Sequence, residues 1–235
     1  MSKPQDGLVS RFLNRPISRR ITGVLLKFPI HPNTWTISIF VLPLVAAVFL
    51  VRGDYFDVVI GAGIFQLFSI LDGCDGEIAR AKNLESKFGE RLDYFCDFAA
   101  SLLYVLTLGV GLQRSSEGIV CAVLISANEL LLRIGKSRAS LFSSTFHESF
   151  YARHRTVVGH SGLLNLGEGF VWWLFQLTKR DMAILVFLLL ALLGLADWIL
   201  NLWTIVAGAS LVLSTIAVIR AGNGSGDIAT RAPRS

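Results

Sequence analysis

Residues 72–97 read DGCDGEIARAKNLESKFGERLDYFCD and join the end of one strongly apolar segment to the start of another. Four aspartates, Asp72, Asp75, Asp93 and Asp97, therefore stand at the ends of two stretches apolar enough to enter a bilayer. A carboxylate at membrane depth is expensive and marks a functional site by default. Working outward, the composition agrees: hydrophobic residues make up 53% of 235 and charged residues only 17%. Six segments approach the roughly 20 residues a helix needs to cross a bilayer. They are residues 33–51, 56–76, 92–112, 117–135, 182–198 and 201–220. The predicted fold class is all-α: a polytopic membrane protein of six transmembrane helices with an amphipathic interfacial helix at its N-terminus. The expected organisation is an arm and interfacial helix over 1–31, a membrane catalytic domain over 32–220, and a disordered polar tail over 221–235.

Charge sets the expected orientation. Of 22 Lys and Arg, only Arg52 and Arg114 fall in the loops after spans 1 and 3. The others group with the N-terminus, the loops after spans 2 and 4, and the tail, so the positive-inside rule places both termini and the aspartates on the cytoplasmic side of the membrane. The net charge of +5 then reads as topology and anionic-lipid contact, and no basic soluble face is left for nucleic acid. No signal peptide is expected from the polar, basic first 30 residues. Cys74, Cys96 and Cys121 fit neither metal-ligand spacing nor a disulfide scaffold.

In residues 8–27, Leu8, Phe12, Ile17, Ile21, Val24 and Leu25 share one helical face, with Arg11, Arg15, Arg19 and Arg20 elsewhere. That pattern suits a helix lying in the interface, with Pro16 at its start or at a kink. Continuing span 2 as a helix through Arg80 puts Asp72 and Asp75 on one face beside Gly76 and Ala79. Gly89, Asp93 and Asp97 step by four along span 3. A short turn joins the two helices, so they are expected to lie side by side with their carboxylates facing. Four such charges need compensation, and hard oxygen ligands in this number suit Mg²⁺, Mn²⁺ or Ca²⁺. Gly76, Ala79 and Gly89 allow close approach of a nucleotide or a helix. Arg80 can grip a phosphate oxygen, and a carboxylate not engaged by metal can take a proton from an attacking hydroxyl.

These residues match, position for position, the signature of the CDP-alcohol phosphotransferase family, which this chain resembles: Asp, two residues, Asp-Gly, two residues, Ala-Arg, eight residues, Gly, three, Asp, three, Asp. The resemblance implies displacement of CMP from a CDP-linked donor by an alcohol acceptor, with Mg²⁺ or Mn²⁺. It implies metal coordination by Asp72, Asp75, Asp93 and Asp97, with Asp97 also the general base. It further implies nucleotide contacts from Gly76, Ala79, Arg80 and Gly89, and a homodimer. The donor is CDP-diacylglycerol or a CDP-polyol, so the product belongs to phospholipid or inositol-phosphodiester synthesis. Residues 6–22, DGLVSRFLNRPISRRIT, resemble the linker in bifunctional proteins that join an inositol-phosphate cytidylyltransferase to a di-inositol-phosphate phosphate synthase. This favours a polyol phosphate, although those proteins carry an upstream domain that this sequence is expected to lack. The rival from another class is a divalent-cation transporter. It fits less well, because the aspartates cluster at one face and Arg80 would sit beside a cation path.

Weaker signals complete the reading. Pro32-Asn33-Thr34-Trp35-Thr36 opens span 1, where Asn33 either caps the helix or reaches the nucleotide. Arg133, Lys136 and Arg138 form a candidate acceptor pocket, with Glu129 able to pair with Arg133. His147, His154 and His160 fit no ligand spacing and read as interfacial, as does the stretch from Phe170 to Phe175. Asp181 and Asp197 are expected to be solvated. Trp172, Trp173, Trp198 and Trp203 are expected in interfacial belts.

Overall fold

The computed structural model of the protein describes residues 8–140 and 180–229, with the side chains of 132–140, 213 and 217–229 excepted. The described residues form helices joined by short turns, with no strand among them. A π-helical turn, Ser10–Asn14, leads into α1, Arg15–Leu25, with Pro16 in the first turn where its missing N–H is harmless. Next come α2, Pro32–Ile39, and α3, Val41–Leu50. These two make one apolar rod of 19 residues. It is interrupted at Phe40 because Pro43 cannot donate a hydrogen bond to the Ile39 carbonyl. The remaining helices are α4, Tyr55–Ala81; α5, Lys87–Gly111; α6, Ser115–Ser140; α7, Arg180–Leu192; and α8, Asp197–Ala229. The last of these continues through residues 221–229 of the polar tail.

Among the described residues, four helical stretches are long and apolar enough to cross a membrane: Pro32–Leu50, Tyr55–Ala81, Lys87–Gly111 and Asp197–Ile216. They match the first, second, third and sixth expected spans. The segment expected over 182–198 is instead divided. Its helix, described from Arg180, ends at Leu192, Gly194 turns the chain at φ +72°, and α8 begins at Asp197. Of the fourth expected span, α6 carries Glu117 and Glu129 within its length.

The core is aromatic. Phe65 of α4 lies 4.6 Å from Tyr104 of α5 between ring centroids, and Tyr104 in turn packs on Phe187 of α7 and Trp203 of α8. Phe187 and Trp203 close the cluster at 4.8 Å. Trp203 was expected in an interfacial belt and is instead part of this packing, whereas Trp198 is exposed. Trp172 and Trp173 lie outside the described residues.

One arrangement departs from the sequence-based expectation and shapes the site. The backbones of α4 and α5 keep apart, while α2 and α3 pack closely against both. The turn between α4 and α5 has Asn83 in the left-handed region at φ +53°, a conformation Asn tolerates. Lys82 Nζ donates to the carbonyls of Phe28 and Ile30 at 2.8 and 3.0 Å. Ser86 caps α5, its Oγ accepting from the N–H of Gly89 at 3.0 Å. The aspartate-bearing ends of α4 and α5 are thus spread by α2, and a cleft opens between them.

Candidate metal and phosphate site

The cleft has a volume of about 450 Å³, and Asn33, Thr36, Asp75, Gly76, Ala79, Arg80, Gly89 and Asp93 are among its lining residues. Every residue expected to contact a nucleotide therefore faces one cavity. Three carboxylates converge at this end of the bundle: Asp72, Asp75 and Asp93 each offer an oxygen, and these oxygens lie within 4.8 Å of one another. Oδ1 of Asp72 and Oδ1 of Asp93 are buried and receive no hydrogen bond. Buried oxygens without a donor are normally satisfied by water or a cation. Three carboxylates at this spacing, two of them carrying an orphaned oxygen, fit a divalent ion.

Asp75 is held from the neighbouring rod. Thr36 Oγ1 donates to Asp75 Oδ2 at 2.7 Å, and Thr36 itself is buried, also donating to the Pro32 carbonyl at 3.2 Å. Trp35 Nε1 donates to the Leu71 carbonyl at 3.0 Å, fixing the residue just before Asp72. The Pro32-to-Thr36 motif thus serves to orient the aspartate helix through Trp35 and Thr36, to which the sequence reading gave no role. Asn33 does not cap α2. The cap is His31, whose Nδ1 accepts from the Asn33 N–H at 3.2 Å, which leaves the Asn33 side chain free to point into the cleft. Its Oδ1 comes within 2.8 Å of where a Gly89 Cβ would sit. Gly89 therefore makes room, in this structure, for Asn33. Likewise the space beside Gly76 is taken by the Arg80 guanidinium, 3.3 Å from a Cβ built there. Among the described residues no carboxylate pairs with Arg80, so its charge is available to the cleft.

Asp97 stands apart from the three clustered carboxylates. It forms an ion pair with Arg180 at the start of α7, and the same guanidinium reaches Asp72 Oδ2 at 3.0 Å. Arg180 is the site residue that sequence reasoning missed. It lies 83 residues beyond Asp97 with no motif around it, and it had counted only as one more inside-facing charge. Its neighbour Asp181, expected to be solvated, accepts from the Ser10 N–H at 2.6 Å, so α7 and the N-terminal helix meet beside the site. Asp197, by contrast, is largely exposed. The side chains of Arg133, Lys136 and Arg138, and residues His147, His154, His160 and 170–175, lie outside the described ones. Nearby, Asn128 Oδ1 accepts from Ser214 Oγ at 2.8 Å, a link between α6 and α8.

Six of the eight motif positions, Asp75, Gly76, Ala79, Arg80, Gly89 and Asp93, thus line one cleft, with orphaned carboxylate oxygens at its end and an arginine that has no carboxylate partner among the described residues, a geometry suited to a metal-assisted phosphate reaction. Residues 29–206 match the CDP-alcohol phosphatidyltransferase family. The chain belongs to that family. The cleft and the clustered carboxylates all lie within the matched residues. Among characterised proteins it is similar to a "Bifunctional IPC transferase and DIPP synthase" of Archaeoglobus fulgidus, 28% identical over 217 residues, which are 91% of this chain and 39% of that one. Proteins with the same name from Aquifex aeolicus and Rubrobacter xylanophilus are 38% identical over 111 residues and 42% identical over 113. Each of those matches covers 47% of this chain and about a quarter of the relative, 24% and 25%. The chain spans well under half the length of the relatives it matches.

Proposed function

We propose that the protein transfers a substituted phosphate from a CDP-linked donor to the hydroxyl of an alcohol acceptor, releasing CMP. The observation that carries this reading is the convergence of Asp72, Asp75 and Asp93 at the end of a cleft lined by Asn33, Gly76, Ala79, Arg80 and Gly89. Asp72, Asp75, Asp93 and Asp97 would hold Mg²⁺ or Mn²⁺. When bound, such an ion supplies positive charge against the donor's pyrophosphate. Arg80 grips the donor phosphates, and Asn33 reaches the nucleotide past Gly89. The acceptor oxygen attacks the phosphorus that carries the donor alcohol. The new P–O bond forms as the P–O bond to CMP breaks, and the hydroxyl proton passes to Asp97 as general base. Arg133, Lys136 and Arg138 would hold a phosphorylated acceptor.

The narrower assignment is to a di-inositol-phosphate phosphate synthase type of reaction, with CDP-inositol as donor and inositol phosphate as acceptor. It is supported by the shared name of the relatives and by the resemblance of residues 6–22 to their linker. A six-span layout, with α1 in the interface, a catalytic unit over 32–220 and a tail over 221–235, is part of the same reading. So are a homodimer and a place in the cytoplasmic membrane with the cleft on the cytoplasmic side, as the distribution of Lys and Arg favours.

The test is CMP release by the purified protein in detergent with Mg²⁺. CDP-inositol or CDP-diacylglycerol is supplied against inositol phosphate, glycerol phosphate, serine and inositol. Acceptor-dependent CMP from CDP-inositol and inositol phosphate is expected. CMP only with CDP-diacylglycerol would move the assignment to phospholipid synthesis, and none from any pair would overturn the reading.

A further inference from the structure

The face of α4 opposite the aspartates carries a second acidic residue whose situation is the reverse of theirs. Glu77 is two residues from Asp75 and five from Asp72, which puts it roughly 200° and 140° around the helix from them. Its Oε1 accepts from Ser18 Oγ at 3.0 Å and from Arg15 NH1 at 3.3 Å, and its Oε2 accepts from Thr22 Oγ1 at 2.8 Å. Both oxygens are thereby occupied by α1, so Glu77 is no metal ligand. Its place in a membrane helix calls for another explanation.

The donors belong to a stripe. Asn14, Ser18 and Thr22 recur every four residues and are the buried residues of the N-terminal helix, while Phe12 and Val24 are exposed. The helix therefore turns its polar side inward and leaves apolar side chains outside. Along α4 the stripe meets Gln66, Ser69, Gly73 and Glu77 in order: Gln66 Nε2 donates to Asn14 Oδ1 at 3.2 Å, and Asn14 Nδ2 donates to Ser69 Oγ at 3.3 Å. Arg15 also donates to the Gly73 carbonyl at 3.3 Å, and a Cβ on Gly73 would sit 3.0 Å from that guanidinium. The glycine between Asp72 and Cys74 thus lies against the Arg15 side chain of α1. Cys74 Sγ, one residue on, reaches the Ser18 carbonyl at 3.5 Å.

The last turns of α4 are consequently gripped from two sides, by Thr36 on Asp75 and by α1 on Glu77. Backbone contact between α4 and α5 is sparse, so the distance from Asp72 and Asp75 to Asp93 depends also on what holds α4 from its other side. We propose that Glu77 is a positioning residue: by anchoring α4 to α1 it sets the spacing of Asp72 and Asp75 relative to Asp93, and so the metal affinity and turnover of the site. This rests on the phosphotransferase reading above. Groups that orient metal ligands from outside the coordination sphere typically contribute 10- to 100-fold in metal affinity or activity, and sub-ångström placement matters for transfer.

The test compares the parent protein with Glu77→Ala, Glu77→Gln and the double variant Ser18→Ala/Thr22→Val, all as the full chain in detergent. Mn²⁺ binding is followed by electron paramagnetic resonance, kcat and KM by CMP release, and folding by thermal melts. Glu77→Ala is expected to weaken Mn²⁺ binding and lower kcat, each about tenfold, with little change in acceptor KM. Glu77→Gln should recover much of both, since its amide oxygen still accepts from Ser18 and Arg15 while its amide N–H can donate to the Thr22 hydroxyl. The double variant keeps the acidic residue and the fold and should fall between them, which keeps the proposal testable if Glu77→Ala does not fold. Melting temperatures that drop while Mn²⁺ affinity and kcat per folded molecule stay at parent values would make Glu77 a strut and overturn the inference. A parent that binds Mn²⁺ but releases no CMP would overturn the functional reading alone, because the Mn²⁺ shift among the variants would still decide the role of Glu77.

Discussion

At the end of the bundle away from the aspartates, Arg114 is consumed by its surroundings. It pairs with Glu117, donates to the Asp197 carbonyl at 2.6 Å and to Asn201 Oδ1 at 2.8 Å, and so ties α6 to α8. The glycines there are buried in backbone contacts: a Cβ on Gly111 would lie 2.0 Å from the Leu50 carbonyl oxygen, and one on Gly118 would lie 2.8 Å from that of Val105. At the aspartate end the same kinds of residue are left open. Asp72 and Asp93 keep oxygens without donors, Arg80 has no described carboxylate partner, and Gly76 and Gly89 look onto the ends of side chains rather than backbone. Charge that is paired and glycine that admits a backbone hold helices together. Charge left unpaired, with glycine beside a cleft, waits for a ligand. The contrast separates the part of the chain that stabilises from the part to which the proposed reaction is assigned.

Substitutions at the two ends should therefore fail in different ways. The largest effect is expected from Asp97→Asn, which keeps the shape of the side chain but removes the base. CMP release should fall about a thousandfold while the melting temperature stays near that of the parent. Turnover retained in that variant would take the proton-acceptor role away from Asp97. Gly111→Ala should do the reverse. Forcing a methyl against the Leu50 carbonyl should destabilise the fold by about 1–3 kcal/mol, visible as an earlier melt, with kcat per folded molecule unchanged. If activity fell and the melt did not move, the division between the two ends would collapse. The smallest effect is expected from Gly89→Ala. The Asn33 side chain can swing from the new methyl, so stability should change by no more than about 0.5 kcal/mol. The KM for the CDP-linked donor should rise about tenfold, corresponding to about 1.4 kcal/mol of lost contact. An unchanged KM would show that Asn33 and Gly89 do not meet the nucleotide.

The motif residues were legible because the chemistry that selects them is local. Asp72 with Asp75, and Gly89 with Asp93 and Asp97, are related by helical spacing, and helical spacing can be counted. Arg180 could not be found this way, since nothing in a linear chain says which distant cation will lie across two carboxylates. The same holds for Glu77. It stands inside the quoted motif, and its charge within an apolar helix was a signal, yet only its partners reveal that it faces away from the cleft. For α1 the periodicity predicted an amphipathic helix but not which face turns inward. In a membrane the apolar side can remain outside, and the buried seam is the polar one.

By itself the sequence determined the all-helical class, the long apolar spans, the family signature and the carboxylates, arginine and glycines of the motif. Each of these follows from composition or from spacing along a single helix. The tertiary structure decided how those residues are shared out: three carboxylates together, Asp97 drawn to Arg180, Thr36 on Asp75 and α1 on Glu77. It also decided that α4 and α5 stand apart with a cleft between them. The physical reason is that neighbours in a turn cannot set an interhelical distance. That distance is set by what packs between and behind the helices, and here by α2, α3 and the polar seam of α1.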